Sequence, residues 1–373
     1  MAKKQKPSEK EQGPDSRRSK NPRKARKAEE GDQGTKPDSR RKEQAVEKAK
    51  DDGKEQAVEK AKDDGEADMM GLPSDLEVQG ATPKADEYWH LPRGVWAKIN
   101  ARATGKGIVI GNVDTGYNPR HPFIPRPVAA RSFIRSERDA TDGNGHGSHT
   151  IGTCCGRHPS ISPAFAADLM VAKALDRNGN GPSDGIAKAI RWLVDEGANI
   201  ITASLGGPQP DRATEEAVAH ANDNGVVVFA AAGNDGFRGR NTIGWPGRFP
   251  GTMCIGSYRE DGQIATSSSG GREMDLAAPG ENIVSCSHRG GSMVMMSGSS
   301  MATPFAAALA ALVLELILRE GGTWPKGVTW WRDFISANCD DAGAPGRDDR
   351  FGAGVPRYTD IVTALNNEDL KFV

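Results

Sequence analysis

The sequence predicts an α/β fold built on a mostly parallel central sheet. Two short apolar runs that close on a polar residue, and one long Ala- and Leu-rich run that follows a serine, carry this prediction. Gly107-Ile108-Val109-Ile110-Gly111-Asn112-Val113 ends in Asp114-Thr115-Gly116, and Val226-Val227-Val228-Phe229-Ala230-Ala231-Ala232-Gly233 ends in Asn234. Strands apolar at nearly every position are covered on both faces, as in a parallel sheet between helices. Ile200-Ile201-Thr202 is a further strand and closes on Ala203-Ser204-Leu205-Gly206-Gly207. The long run, Phe305 to Leu318, follows Gly298-Ser299-Ser300-Met301-Ala302-Thr303-Pro304 and predicts a helix.

Chemistry enters at the ends of these elements. A serine at a loop-to-helix junction has its hydroxyl on the first turn, beside backbone N–H groups without helical partners. That suits a nucleophile, because the same turn offers donors to the oxyanion of acyl transfer. Serine is also a common helix cap, so the motif gains its meaning from its companions. Gly143-Asn144-Gly145-His146-Gly147-Ser148-His149-Thr150 is a Gly-rich turn that supplies a base. Aspartate, then histidine, then serine is one of the chain orders in which the acyl-transfer triad occurs. The Asn234 amide is a suitable oxyanion donor.

With these four motifs in this order, the chain resembles the subtilisin-like serine proteases, the subtilases, from about Tyr88 to about Leu365. The resemblance implies a three-layer α/β/α sandwich with its site at the carboxyl ends of the strands. It implies a serine endopeptidase working through an acyl-enzyme, with Asp114, His146 and Ser300 as triad and Asn234 as oxyanion donor. It also implies a peptide or protein substrate held as an extended strand. One wall of that cleft would be Ser204-Leu205-Gly206 and the other Gly179-Asn180-Gly181. The pocket for the residue before the scissile bond (P1) would lie between Ser204–Gly206 and Ala231-Ala232-Gly233, with Gly244 at its base. Glycine there leaves room for a large side chain; Asp235 at the rim would add a weaker preference for a basic one, or else be an ordinary loop residue. Ser183 stands where many relatives carry an aromatic lid residue. The bond matching Trp245-Pro246 is cis in the family. No cofactor is required for the chemistry, and room remains for a structural calcium ion, with no metal ligands assigned. The segment from Thr153 to Lys173 looks shorter than in members with the tight calcium loop.

Other readings compete. His149, three residues after His146, suggests a metal-binding pair, but no H-E-x-x-H pattern accompanies it and its family position is structural. Asp176-Arg177-Asn178-Gly179-Asn180-Gly181 matches the start of a calcium loop, yet Ala187 occupies the twelfth position where glutamate belongs. The substrate edge is the preferred reading. Asp142 reads as a turn or cap residue and Asp139 as solvated. A catalytically inactive binding module, or a peptide ligase, cyclase or esterase on the same fold, is the alternative function.

Composition divides the 373 residues into a tail at 1–70, a linker or short pro-segment at 71–87 and a peptidase domain at 88–373. The tail holds twenty Lys/Arg and seventeen Asp/Glu with no aromatic residue, so it cannot bury enough apolar surface to order itself. It carries a perfect tandem repeat, KEQAVEKAKDDG, at 42–53 and 54–65. Residues 1–27 are basic, which suits a nucleic-acid or membrane-surface arm, but without interleaved aromatics a solubilising, non-specific tail is the preferred reading. The tail is also too polar to form the folded inhibitory propeptide of many secreted members; either none is needed or a short segment around 71–90 takes its place. With no signal peptide and no membrane span in view, the expectation is a cytoplasmic protein. Cys154, Cys155, Cys254, Cys286 and Cys339 contain no C-x-x-C pair and are expected as buried thiols. Trp324, Trp330 and Trp331 are expected to pack, ahead of Phe351-Gly352-Ala353-Gly354 and a helix near Tyr358–Leu365.

Overall fold

A computed structural model describes residues 69–71, 76–78, 88–324 and 327–357. The chain divides into two units, Met1–Lys60 and Ala61–Val373, and all described residues lie in the second. The repeats, most of the tail and the helix expected near Tyr358–Leu365 lie outside the described residues.

Seven strands form the central sheet: β3 (Val109–Asp114), β4 (Ala129–Ser132), β5 (Asp168–Lys173), β7 (Ile200–Ala203), β8 (Val227–Ala231), β9 (Thr252–Tyr258) and β10 (Leu276–Pro279). Their order is β10-β9-β8-β7-β3-β5-β4, and every neighbouring pair is parallel. Three short sheets flank it. β1 (Met69–Gly71) pairs antiparallel with β6 (Asn180–Pro182). β12 (Met293–Ser297) lies between β11 (Ile283–Cys286) and β2 (Leu76–Val78). β13 (Cys339–Asp340) pairs with β14 (Val355–Pro356).

The helices are α1 (Arg93–Asn100), α2 (His146–Cys155), α3 (Ser183–Asp195), α4 (Arg212–Asp223), α5 (Ser299–Arg319) and α6 (Gly327–Ala337). Alternate strand residues feed two cores. Ile110, Ile200, Val227 and Phe229 face the core that holds α1, α2, α5 and α6. Val113, Ile201 and Val228 face the other, built on α3 and α4. This is the three-layer sandwich the sequence implied, and it explains strands apolar on both faces.

α5 is 21 residues long and apolar enough to cross a membrane, but 89% of its apolar window is buried inside the fold. It is the central strut of one layer, apolar all round because it is enclosed all round. Its Glu315 carboxylate accepts the N–H groups of Thr104, Gly105 and Lys106, at 2.6, 2.7 and 3.1 Å, and so anchors the turn that leads into β3. The tryptophans pack as expected. Trp331 is buried, Trp330 stacks on Phe334 with centroids 5.0 Å apart, and Trp324 donates to the Gly225 carbonyl. The closing segment is tied by buried Asp275, whose carboxylate takes Arg332 at 2.9 Å and Arg347 at 3.3 Å. All five cysteines are free thiols; four are buried and Cys339 is partly so.

Met69 and Met70, which composition places at the end of the tail, belong to β1. A three-residue strand is too short to register as apolar periodicity, and it is held by its partner rather than by its own sequence.

His90 and His149 are buried, and burial lowers the pKa of each from 6.5 to about 3. Neither can charge in the fold at mildly acidic pH, whereas both charge in the unfolded chain. Stability is therefore complete above pH 6.5 and falls as pH drops below it, by about 1.4 kcal/mol per pH unit for each histidine. Replacing His90 with Phe should remove one of these two contributions. Denaturant titrations at pH 5 and pH 7 measure it, and an unchanged difference would contradict the assignment.

Candidate active site

β3 delivers Asp114 at its carboxyl end, at the centre of the sheet between β5 and β7. The carboxylate is fully buried, and His146 Nδ1 lies 2.8 and 2.9 Å from its two oxygens. Thr115 N–H donates to Oδ1 at 2.7 Å and Thr150 Oγ1 to Oδ2 at 3.1 Å. With the carboxylate so engaged, the imidazole orientation is fixed and its Nε2 faces away from Asp114.

His146 opens α2, and the loop before it is fastened by Asp142. The Asp142 carboxylate accepts five donors: Thr115 Oγ1, Asn144 N, Gly145 N, Ser148 N and Ser148 Oγ, all within 2.7–2.9 Å. Burial alone would raise its pKa, but the bonds from Ser148, Gly145 and Asn144 outweigh it and hold the group below the usual carboxylate range. The sequence reading of a turn and cap residue is right in kind and understates the role. Asp142 also joins the His146 helix to Thr115, the neighbour of Asp114.

Close backbone approach completes this corner. A Cβ on Gly147 would stand 2.2 Å from the Gly116 carbonyl oxygen, and Gly116 itself has φ 113°. Helix α2 can therefore meet the turn after β3 only where both residues are glycine.

Ser300 lies in the first turn of α5 and is fully buried. Pro304, four residues on, has no N–H, so it cannot cap the Ser300 carbonyl in the helical ladder. Ser204 Oγ donates to that carbonyl instead, at 2.8 Å, while Ser300 Oγ contacts the Ser204 carbonyl at 3.5 Å. The end of β7 and the start of α5 are thus reciprocally bound. Asn234 follows β8, and its Oδ1 accepts from Ser299 N at 2.9 Å and Ser299 Oγ at 3.1 Å. Pinning the oxygen turns the Nδ2 side of the amide the other way, as an oxyanion donor requires.

A cavity of about 430 Å³ opens beside Asn234, lined by Gly206, Gly207, Ala231, Gly233, Gly244 and Arg248 among others. Of the P1-pocket residues read from sequence, Gly206, Ala231, Gly233 and Gly244 line it. Ser204, Leu205 and Ala232 do not: Leu205 and Ala232 point into separate apolar cores and Ser204 serves Ser300. Leu205 and Ala232 lie just past the ends of β7 and β8 and are fully buried. The Trp245-Pro246 bond is cis.

On the opposite wall, Asn180 and Gly181 form β6 and Gly179 sits in the turn before it, with φ 80°. Met70 is paired with Gly181 and Gly71 with Asn180, so the chain's own backbone lies on this edge. Asp176 closes the turn by accepting from Asn178 N and Asn180 N, which is a turn role for the residue that would begin a calcium loop. His149 Nε2 is 3.0 Å from the Ile283 carbonyl oxygen, which makes it a structural histidine.

Sequence reasoning missed Lys173 and Glu137. Lys173 stands opposite Asp114 on β5 and is fully buried; its Nζ donates to the Thr115 carbonyl at 2.5 Å and pairs with Glu137 at 3.0 Å. A lysine ending an apolar run, Leu169 to Lys173, was the available signal.

Loss of the Asp142 carboxylate would strand buried donors on both sides of His146. Asp142→Ala is therefore expected to lower unfolding free energy by about 2–4 kcal/mol. Calorimetry checks this, and a shift below about 0.5 kcal/mol would show that the loop is held some other way.

Residues 105–354 match a family model described as the subtilase family. The chain is 40% identical over 212 residues to a thermostable alkaline protease of Halalkalibacterium halodurans, covering 56% of this chain and 57% of that one. It is 38% identical over 243 residues to subtilisin E of Bacillus subtilis, covering 62% and 63%. To subtilisin Savinase of Lederbergia lenta it is 36% identical over 222 residues, covering 59% and 80%. The chain thus spans little more than half the length of some of the relatives it matches. The matched region holds the seven-stranded parallel sheet, the Asp114–His146 pair, Asn234 and Ser300, and on this evidence the chain belongs to the subtilase family.

Proposed function

We propose that the protein is a serine endopeptidase that hydrolyses peptide bonds through an acyl-enzyme. The observation that carries this reading is the Asp114–His146 contact at the end of β3, made by a helix that packs against the one opening with Ser299-Ser300. Ser300 Oγ attacks the scissile carbonyl carbon as His146 Nε2 takes its proton. The C–N bond then breaks as the same proton passes to the leaving amine, and water repeats the sequence to release the acid. Asp114 holds the imidazole tautomer and stabilises the imidazolium. The Ser300 N–H and Asn234 Nδ2 receive the negative charge of the tetrahedral oxygen.

Ser300→Ala is expected to abolish hydrolysis of a peptide anilide, and a fluorophosphonate is expected to label the native protein at Ser300. Turnover surviving near the native rate would sink the assignment. Asn234→Ala should lower kcat by about 10²–10³, a magnitude established for such a donor in a member of this family, with little change in KM. A ligase or cyclase would share the acyl-enzyme and differ in its acceptor, so product analysis with added amines separates the two.

The substrate binds as an extended strand on the edge that β1 occupies. β2 pairs with β12, the strand that leads through Gly298 into Ser300, so residues 69–71 lie on the substrate edge and residues 76–78 on the strand before the nucleophile. We read this segment as an internal competitor of substrate. Removing residues 1–78 should lower KM for a short peptide by about tenfold or more, because a tethered strand competes at millimolar effective concentration. An unchanged KM in steady-state assays would assign β1 and β2 a purely structural role.

A further inference from the structure

A second cavity adjoins the one beside Asn234. The two share Asp235, Asn241 and Thr242, and the outer one, of about 450 Å³, is lined also by Arg238 and Arg240. On the endopeptidase reading, the carbonyl held at Asn234 belongs to P1. The P1 side chain, carried on the Cα next to that carbonyl carbon, enters the inner cavity, which is lined by Gly244 and Arg248.

The charges around this space are mostly positive. Arg238, Arg240 and Arg248 line it, against Asp235 alone. Behind them, Glu273 is already committed. It accepts from Asn241 Nδ2 and from Arg272 at 3.0 Å, and lies 4.0 Å from Arg248. Arg248 is further held over the Trp245 ring, 5.0 Å from its centroid. Arg350 adds a cation on the outer side, over Phe237 at 5.4 Å from the centroid, with Asp348 and Asp349 as its chain neighbours. Arg238 and Arg240 are exposed, and among the described residues neither has an ion pair or a hydrogen-bonded side chain. They stand in one seven-residue loop, Asp235 to Asn241, which begins at the oxyanion asparagine.

We propose that this cavity selects an anionic P1 side chain, glutamate above all, and that Arg238 and Arg240 are the residues that set the preference. The proposal rests on the endopeptidase reading and reverses the sequence-based expectation that Asp235 favours a basic P1. One carboxylate at the rim is outnumbered by the guanidinium groups around it. A guanidinium presents a planar pair of donors that fits a carboxylate in two parallel hydrogen bonds. Arg238 and Arg240 line the outer cavity and not the one that Asn234 borders, so the longer glutamate reaches them better than aspartate. Because they are exposed, the attraction is screened by salt.

The test is kcat/KM for peptide anilides that differ only at P1 as Glu, Gln, Phe or Lys, at low and high ionic strength. Glu and Gln have nearly one shape, so their ratio isolates the charge. The native protein is expected to favour Glu over Gln about tenfold at low salt and less at high salt. The R238Q/R240Q double variant should bring the ratio close to one, and the ratio is insensitive to general damage. A native ratio at or below one, or a ratio unchanged in the double variant, overturns the proposal. Should no anilide be cleaved and Ser300 resist the fluorophosphonate, the endopeptidase reading fails instead. The charge preference is then measured by calorimetry on the S300A protein with blocked hexapeptides carrying Glu or Gln before the central bond. Tighter binding of the Glu peptide supports the proposal, and equal affinity overturns it.

Discussion

The geometry of the cleft depends on one buried carboxylate that performs no chemistry. Asp142 gathers five donors from three places: the side chain beside Asp114, the loop before α2 and the first turn of α2 itself. Asp114 comes from the central sheet and His146 from a helix, and nothing in either element alone fixes the 2.8 Å between them. Asp142 fixes it from the helix side. Lys173 and Glu137 act from the strand side, where the lysine holds the Thr115 carbonyl and the glutamate neutralises the lysine. Buried charges are costly unless fully paired, so the arrangement is stiff for the reason that makes it expensive.

Pro304 plays the same part at Ser300. An ordinary helix would satisfy the Ser300 carbonyl from within, leaving α5 free to slide against β7. With the donor removed at position 304, the carbonyl must find a partner outside the helix, and Ser204 supplies it. A backbone defect is thereby turned into a bond between two layers of the sandwich. The same proline that marks the motif in the sequence holds the serine against the sheet.

Much of this was legible in one dimension. The continuous apolar runs around Ile110 and Val228 gave the parallel strands, and the polar residues closing them gave Asp114 and Asn234, because strand ends are where a parallel sheet exposes side chains. What sequence could not give was contact between distant segments. Leu205 and Ala232, named for the pocket along with their neighbours, have side chains packed into separate cores. Asp235 was weighed as the charge of the P1 rim because it follows Asn234, whereas Arg248 reaches the same cavity from beyond the cis Trp245-Pro246 turn. Lys173 was overlooked because its partner lies on a separate loop, 36 residues earlier in the sequence.

The two halves of the cleft divide the work of recognition unequally. On the proposed reading, substrate binding along β6 would be a ladder of backbone groups, and β1 makes such a ladder from within the same chain. Any peptide can offer the same hydrogen bonds, so this edge discriminates poorly among sequences and favours the tethered occupant. A free substrate that displaces it must draw its advantage from side chains. On that reading the cavity beside Asn234 is the place where such an advantage would be largest, since it is roomy, bordered by arginines and would adjoin the scissile bond. Selectivity in this protein is therefore expected to reside in the charge of that cavity and not in the strand edge.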